Sequence, residues 1–157
     1  MNIFYKKLHP AAIEPRRSTP LSGGWDIFCT EIIHESTDFC ICKTGLIMYP
    51  EDSNYRITLV PRSSLTKTHW LLQNSPGLGD PDYTGEYEFR FRALPTLVWK
   101  TSLSRSGYML QYPEFPFKPG DRIGQMYLEE IIPIDFFEID TLKTTTRGSG
   151  GFGSTGI

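Results

Sequence analysis

The sequence lacks an apolar run long enough to span a bilayer, which takes about 20 consecutive residues. Its first ten residues, MNIFYKKLHP, also lack the apolar core of a secretory signal. We therefore expect an intracellular protein, cytoplasmic or nuclear, inside a host cell if the source is viral. The formal net charge is only -2, so no global field favours a nucleic acid or an anionic membrane as partner. Any bound anion must instead meet a local cluster of donors.

Cysteines are few, with only Cys29, Cys40 and Cys42 in the chain. This odd number leaves no second pair to complete a four-ligand zinc site. We interpret the three as reduced thiols within strands, with a redox or metal-binding role as the alternative.

Long helical patterns are missing as well, because 14 Gly and 12 Pro interrupt the chain at short intervals. The runs between them are rich in Ile, Phe, Cys and Thr and predict strands, and MYLEEII and DFFEI are further predicted strands. The clearest is YEFRFRAL, in which Tyr87, Phe89 and Phe91 alternate with charged residues. Many short strands with turn residues between them predict an all-β barrel, sandwich or jelly roll.

The chain shows no repeat and no internal boundary, so residues 1–146 are predicted to form one β domain. Within it, residues 94–118 have poor periodicity and many aromatics, which indicates a long excursion between strands. Residues 147–157, RGSGGFGSTGI, form a glycine-rich C-terminal arm that we predict to be mobile and not a separate domain.

Glycine in this arm frees backbone N–H groups to surround phosphate oxygens, and Arg147 and Ser149 add a cation and a hydroxyl. No Gly-Lys-Ser/Thr end opens a helix here, so a mononucleotide P-loop is excluded. A flexible solubilising tail is the alternative, but the large aromatic Phe152 counts against it.

Two further segments carry donors or acids at places where strands end. In PRSSL, Arg62, Ser63 and Ser64 stand at the start of a possible short helix, as an anion site or simply a cap. In NSPGLGDPDYTGEY, Asp80 and Asp82 could be a general base, a metal pair or turn caps. Asp80 is preferred as the base because Tyr83, three residues on, could share its pocket wall.

Five segments in this order resemble the five motifs of the homotrimeric dUTP pyrophosphatases (dUTPases): GGWDIF, PRSSL, GLGDPDYTGE, GDRIGQM and RGSGGFGSTG. The resemblance spans Gly23 to Gly156. It implies a β jelly roll with a glycine-rich C-terminal arm, and a homotrimer whose active sites are shared between subunits. It also implies Mg²⁺-dependent hydrolysis of dUTP to dUMP and pyrophosphate, by attack of water on the α-phosphorus. That activity keeps uracil out of DNA and supplies dUMP for dTMP synthesis.

By this resemblance, Asp80 activates the attacking water and Tyr83 lies against the deoxyribose. The uracil and sugar are read by one hairpin, and an aromatic residue of the arm closes over the base. These nucleoside-binding residues are Asn74, Gly77, Leu78, Gly79, Tyr83 and Phe152.

The resemblance also assigns a phosphate-binding set and one carboxylate, Asp26, that acts on Mg²⁺ through water. The phosphate-binding residues are Arg62, Ser63, Ser64, Gln125, Arg147, Gly148, Ser149 and Gly153.

Some positions depart from the family pattern. Trp25 replaces a smaller residue, Gly124 stands where Ala is usual, a mild change, and Gly79 stands where Ile or Val is normal. We expect Gly79 to loosen the hairpin and to fix Asp80 less well. The excursion at 94–118 is longer than usual and could form either a surface for a protein partner or an elaborated subunit contact. Alternatives are a dCTP deaminase of the same superfamily, or an interaction protein gated by a nucleotide.

Overall fold

The structure is a computed structural model that describes residues 1–101 and 106–151. It contains β-strands and one short 3-10 helix, Ser63–Lys67, with no α-helix in the described part of the chain. Nor does any helix among these residues have the length and hydropathy needed to cross a membrane. The strands are β1 Ile3–Lys7, β2 Trp25–Phe28, β3 Glu31–Ser36, β4 Phe39–Lys43, β5 Leu46–Pro50, β6 Tyr55–Val60, β7 Trp70–Leu72, β8 Gly77–Gly79, β9 Glu88–Ala93, β10 Thr96–Thr101, β11 Ser106–Gln111 and β12 Arg122–Glu130.

Two four-stranded antiparallel sheets form the body of the protein. The strand orders are β2-β12-β6-β8 in one sheet and β3-β4-β9-β7 in the other. Two smaller antiparallel pairs, β1 with β5 and β10 with β11, complete the described strands. The strand order does not follow the sequence, because β12, the last described strand, lies between β2 and β6.

One hydrophobic core joins the two large sheets. Phe89 and Phe91 of β9 are completely buried, whereas the neighbouring Arg90 and Arg92 are exposed. Full burial of a phenylalanine side chain contributes about 1.5–3 kcal/mol. The alternation predicted for YEFRFRAL is therefore confirmed, and this strand supplies the centre of the core.

Two other expectations need correction. The excursion at 94–118 is not irregular throughout, because β10 and β11 form a regular antiparallel hairpin within it. DFFEI was predicted to be a strand, and this is wrong, because residues 131–139 contain no strand. A short segment forms a strand only when another strand accepts its backbone hydrogen bonds.

All three cysteines are buried free thiols; Cys40 and Cys42 lie in β4, and Cys29 directly follows β2. The sulfur of Cys40 lies 3.2 Å from His34 Nδ1. Burial raises the pKa of the Cys40 thiol, which favours its protonated form at neutral pH.

Candidate active site

The carboxylate of Asp26, in β2, is the centre of a buried hydrogen-bond network and is only 2% exposed. Arg62 Nε and Gln125 Nε2 donate to its Oδ1, at 2.9 Å and 3.0 Å. The Ser18 hydroxyl and Arg122 Nη1 donate to its Oδ2, at 2.7 Å and 3.1 Å. Each carboxylate oxygen therefore has two donors, and two of the four donors are cationic.

Sheet register explains why these residues meet. Gln125 lies in β12 directly opposite Asp26 of β2 on one side and Val60 of β6 on the other. Arg62 follows the end of β6 by two residues, so its guanidinium reaches the same place. Arg62 Nη1 also donates to the Ser64 hydroxyl at 3.3 Å, which links the start of the 3-10 helix to the network.

Burial alone raises the pKa of the Asp26 carboxyl, because it disfavours the charged form. Hydrogen bonds from Ser18, Gln125 and Arg62, together with the positive charge of Arg62, outweigh burial and hold the pKa below its usual value. Asp26 is consequently ionised at neutral pH, and it holds Arg62 and Gln125 side by side.

Sequence reasoning missed Ser18 and Arg122. Arg122 lies inside GDRIGQM, where the β-bulge between residues 122 and 124 turns it to the side of Asp26. Ser18 has no local signal, because it lies in the loop before β2. That loop is tied to the strand by a pair of backbone hydrogen bonds between Arg16 and Asp26, at 2.8 Å and 3.1 Å.

Among the predicted nucleoside-binding residues that the structure describes, Gly77, Leu78 and Gly79 form β8, the outer strand of its sheet. Asn74 precedes this strand and Tyr83 follows it. Gly77 and Leu78 pair with β6, and the Leu78 side chain is exposed. Asp80 and Tyr83 are also exposed, and the Tyr83 backbone N–H donates to the Asp80 carbonyl at 3.0 Å across a tight turn. The Tyr83 hydroxyl donates to the Glu86 carbonyl at 3.1 Å.

The Asn74 side chain forms hydrogen bonds with a neighbouring strand, β9. Its amide group donates to the Glu88 carbonyl at 3.1 Å, and its carbonyl oxygen accepts from the Arg90 backbone N–H at 2.9 Å. The side chain therefore ties the start of the hairpin to β9. A direct contact of Asn74 with base and sugar remains a prediction.

The small size of Gly79 leaves no empty space beside the hairpin, and the expected looser placement of Asp80 stays a prediction. A Cβ at this position would overlap the Tyr87 hydroxyl and would lie only 2.6 Å and 2.7 Å from Tyr87 Cε1 and Cζ. The tyrosine ring thus fills the volume that a larger residue at 79 would need.

Within one chain, the Asp26 network and Asp80 lie apart. In β6, Val60 pairs with Gln125 of β12, whereas Ile57 pairs with Gly79 of β8. Asp80 therefore lies about four residues along β6 from the network, or about 13 Å at the usual rise of a strand. The structure brings together Asp26, Arg62, Ser64 and Gln125, but it does not bring Asp80 to them. Ser63 is exposed at the start of the 3-10 helix beside Ser64.

The described part of the arm forms its own turns. Arg147 Nε donates to the Gly150 carbonyl at 2.9 Å, and the Gly148 N–H donates to the Thr145 hydroxyl and carbonyl, both at 3.1 Å. Ser149 lies in the same turn. Phe152 and Gly153 lie outside the described residues.

Solved structures identify the class to which this fold belongs. The dUTPase of Staphylococcus bacteriophage 80alpha, in a structure with dUpNHpp, matches with a TM-score of 0.75 over 99% of each chain, at 23% identity. The dUTPase of phage phi11 of S. aureus, described for its species-specific insert, matches with a TM-score of 0.68 at 18% identity. That match covers 92% of this chain and 100% of the other. The protein therefore has the dUTPase fold, which confirms the all-β jelly-roll prediction.

Sequence comparison narrows the class to one family. The chain is 33% identical to a deoxyuridine 5'-triphosphate nucleotidohydrolase of Helicobacter pylori, over 100% of this chain and 98% of that protein. It is 32% identical to the corresponding protein of Wolinella succinogenes, over 99% and 95%. Profiles of known protein families give no match. From these full-length relationships, the chain belongs to the dUTPase family.

Proposed function

We propose that this protein hydrolyses dUTP to dUMP and pyrophosphate, and so keeps uracil out of DNA and supplies dUMP for dTMP synthesis. The observation that carries the proposal is the Asp26 network, which holds Arg62 and Gln125 as hydrogen-bond donors within a dUTPase fold. A nucleoside triphosphate carries about four negative charges, and its hydrolysis depends on fixed donors that stabilise those charges.

In this proposal, Arg62, Gln125 and the hydroxyls of Ser63 and Ser64 bind the phosphates. Support comes from the two hydrogen bonds that fix Arg62, one to the Asp26 carboxylate and one to Ser64. A guanidinium that is already oriented loses less side-chain entropy when it binds an oxygen. Arg147, Gly148, Ser149 and Gly153 of the arm would add further donors, and Phe152 would close over the base.

The uracil and the deoxyribose would bind at the outer edge of β8. Gly77, Leu78 and Gly79 can present backbone N–H and C=O groups to the edge of a base, since β8 is an outer strand. Tyr83 would cover the sugar, and Asn74 would lie near the base while fixing the hairpin to β9.

Asp80 is the proposed base. It would take a proton from water as the water oxygen bonds to the α-phosphorus, and the bond from that phosphorus to the pyrophosphate oxygen would break. An aspartate is a weak base, so the water must be held by a hydrogen bond to act at neutral pH.

The first prediction concerns this residue. Asp80→Asn should lower kcat by at least about a hundredfold, because the amide cannot accept the proton, while dUTP still binds. Turnover is measured by phosphorus NMR in ¹⁸O-labelled water, and binding by calorimetry with a non-hydrolysable dUTP analogue. Label is expected in dUMP; label in pyrophosphate alone would overturn attack at the α-phosphorus. Asp82→Asn is the matched control, with turnover expected to stay near that of the unmodified protein.

Mg²⁺ is the proposed cofactor. Within residues 1–101 and 106–151, no three His, Cys, Asp or Glu side chains gather into a metal site. An ion that arrives with the triphosphate fits this chain, because Mg²⁺ keeps phosphate oxygens and water as ligands. Asp26 would act on it through water, in exchange for one of its four hydrogen bonds. When bound, the ion would neutralise phosphate charge.

A homotrimer with shared sites is also part of the proposal. Its support is the separation of Asp80 from the Asp26 network within one chain, because both are needed at one substrate. A second support is the segment after β12, which exposes several large apolar side chains. These are Ile132, Ile134, Phe136, Phe137, Ile139 and Leu142.

The hairpin of β10 and β11 is the proposed site for a protein partner. Its register places Leu97 opposite Leu110 and Trp99 opposite Tyr108, and all four side chains are exposed. Paired residues share one face of a hairpin, so this face is apolar.

Deleting residues 96–111 should leave dUTP turnover intact and abolish binding of the partner. Loss of turnover would instead show that the hairpin is a contact between subunits of the enzyme.

A further inference from the structure

Arg122 is a charged residue of the Asp26 network that the proposed reaction does not use. Its Nη1 atom donates to two acceptors, Asp26 Oδ2 at 3.1 Å and the Ser18 hydroxyl at 3.2 Å. The Ser18 hydroxyl in turn donates to the same Oδ2 atom at 2.7 Å. Arg122, Ser18 and Asp26 therefore form a closed triangle of hydrogen bonds, on the carboxylate oxygen that Arg62 does not hold.

The charges of this network do not cancel. Asp26 carries one negative charge, and its two guanidinium partners, Arg62 and Arg122, carry one positive charge each. These three groups therefore sum to one positive charge, and without Arg122 the sum would be zero. Because Asp26 is only 2% exposed, water and salt screen its charge little, and an anion bound at Arg62 would meet its repulsion.

The two carboxylate oxygens face different groups. Oδ1 accepts from Arg62 and Gln125, which are the proposed phosphate donors, whereas Oδ2 accepts from Ser18 and Arg122. The β-bulge between residues 122 and 124 of β12 places Arg122 on the Oδ2 side. Arg122 can therefore neutralise the carboxylate without displacing either donor from Oδ1.

We propose that Arg122 is a positioning residue for the phosphate site: it neutralises Asp26 and so leaves the positive charge of Arg62 available to the nucleotide's phosphates. Ser18 holds Arg122 in place. This inference rests on the proposed function, in which Arg62 and Gln125 bind the phosphates. The effect of Arg122 on affinity should then increase with the number of negative charges on the ligand.

The test is Arg122→Gln, which removes the charge and keeps a side chain that can donate a hydrogen bond. Binding is measured by calorimetry in the presence of a chelator, so that no Mg²⁺ contributes. Affinity for a non-hydrolysable dUTP analogue should fall about tenfold and that for dUMP about threefold, whereas deoxyuridine should change by less than about twofold. Arg122→Lys keeps the charge, so its affinity for the analogue should stay within about threefold of the unmodified protein.

Arg92→Gln is the matched control. The Arg92 side chain is 45% exposed, against 46% for Arg122, and it also pairs with an aspartate, Asp38. Arg92 lies in β9, in the other large sheet, so the same loss of one positive charge occurs away from the Asp26 network. All three affinities should stay within about twofold of the unmodified protein.

A double variant tests the charge balance itself. Asp26→Asn combined with Arg122→Gln again leaves one positive charge, that of Arg62. Its affinity for the dUTP analogue should return to within about threefold of the unmodified protein. A double variant that binds no more tightly than Arg122→Gln alone would overturn the inference, because the sum of charges would then not set the affinity.

The remaining outcomes separate this inference from the proposed function. An unmodified protein that neither binds the analogue nor turns over dUTP overturns the proposed function itself. An equal loss for all three ligands in Arg122→Gln overturns only the inference, as does an Arg122→Lys variant that binds as weakly as Arg122→Gln. Should Arg122→Gln fail to fold, Ser18→Ala is the test, with about a threefold loss expected for the analogue and none for deoxyuridine. Unchanged affinity for the analogue in Ser18→Ala would then overturn the inference.

Discussion

Asp26 is a buried charge with two guanidinium partners, Arg62 and Arg122. Arg122 is roughly half exposed, so its contribution is screened by solvent and is the smaller of the two. Removing one member of a buried ion pair leaves the other uncompensated and typically costs about 3–5 kcal/mol. Here the cost should be lower, because both arginines can reach water.

A prediction about stability follows for Asp26→Asn. It should lower the free energy of unfolding by about 1–3 kcal/mol at pH 7. The pKa of Asp26 is depressed in the folded protein, so its stabilising effect is fully present above its unfolded value, about 3.9. That effect is lost as the pH falls through the folded pKa. The difference between the two proteins should therefore shrink below about pH 4, as urea unfolding at fixed protein concentration would measure.

Asp135→Asn provides the control for this experiment. Asp135 is exposed in the segment after β12, so its replacement should change the unfolding free energy by less than about 0.5 kcal/mol at either pH. A cost for Asp26→Asn that stayed constant down to pH 3 would argue against a stabilising role for the carboxylate charge.

At the scale of elements, the two large sheets pack closely where β12 meets β9. A Cβ at Gly124 would overlap the Phe89 ring, with Phe89 Cδ1 and Cζ both only 2.6 Å away. The glycine at 124 was expected to be a mild change from alanine, and this is wrong. The missing methyl group makes room for an aromatic ring between the sheets.

Gly124→Ala should therefore lower the free energy of unfolding by about 1–3 kcal/mol, because the methyl group overpacks the core. Urea unfolding gives the difference. Gly107→Ala is the matched control, since Gly107 also lies in a strand, β11, but a Cβ there would have no atom within 4 Å. Adding Phe89→Leu to Gly124→Ala should recover part of the loss; strictly additive effects would show that the two residues do not compete for space.

How far the elements could be predicted depends on where their hydrogen-bond partners lie. YEFRFRAL has strict alternation and two neighbouring strands, β4 and β7, so local pattern and tertiary pairing agree. DFFEI has strand-forming residues but no strand beside it in the described structure. Propensity cannot supply a partner, and a sequence does not reveal where one is missing.

The same limit applies to the site. Arg62, Ser64 and Gln125 could be found because each lies in a recognisable motif near a strand end. Ser18 could not, since its approach to Asp26 depends on how a loop folds back over β2. Tyr87 could be placed in the core by alternation, but its fit against Gly79 is a matter of side-chain volume between strands that are distant along the chain.

At the scale of the whole molecule, the proposed active site needs residues from more than one chain. Mixing two inactive variants, Asp80→Asn and Arg62→Ala, tests this arrangement. If one site takes Asp80 and Arg62 from different chains, mixed trimers contain sites with both residues intact. Subunit exchange should then restore a measurable fraction of turnover, read by pyrophosphate release.

Two controls define that experiment. Each variant alone should remain inactive, and light scattering should give the mass of three chains before and after mixing. Mixtures that exchange subunits but stay inactive would place both residues in one chain's site. A monomer by light scattering would overturn the shared-site proposal altogether.

If the proposed trimer covers the apolar side chains exposed after β12, the stability of the protein depends on its concentration. A surface that is covered only by other copies of the chain makes folding and assembly a single equilibrium, governed by mass action. Dilution would then destabilise the folded protein, as heating does, and its melting temperature would rise with protein concentration. In a cell with few copies of this chain, total activity would therefore fall more steeply than the number of copies.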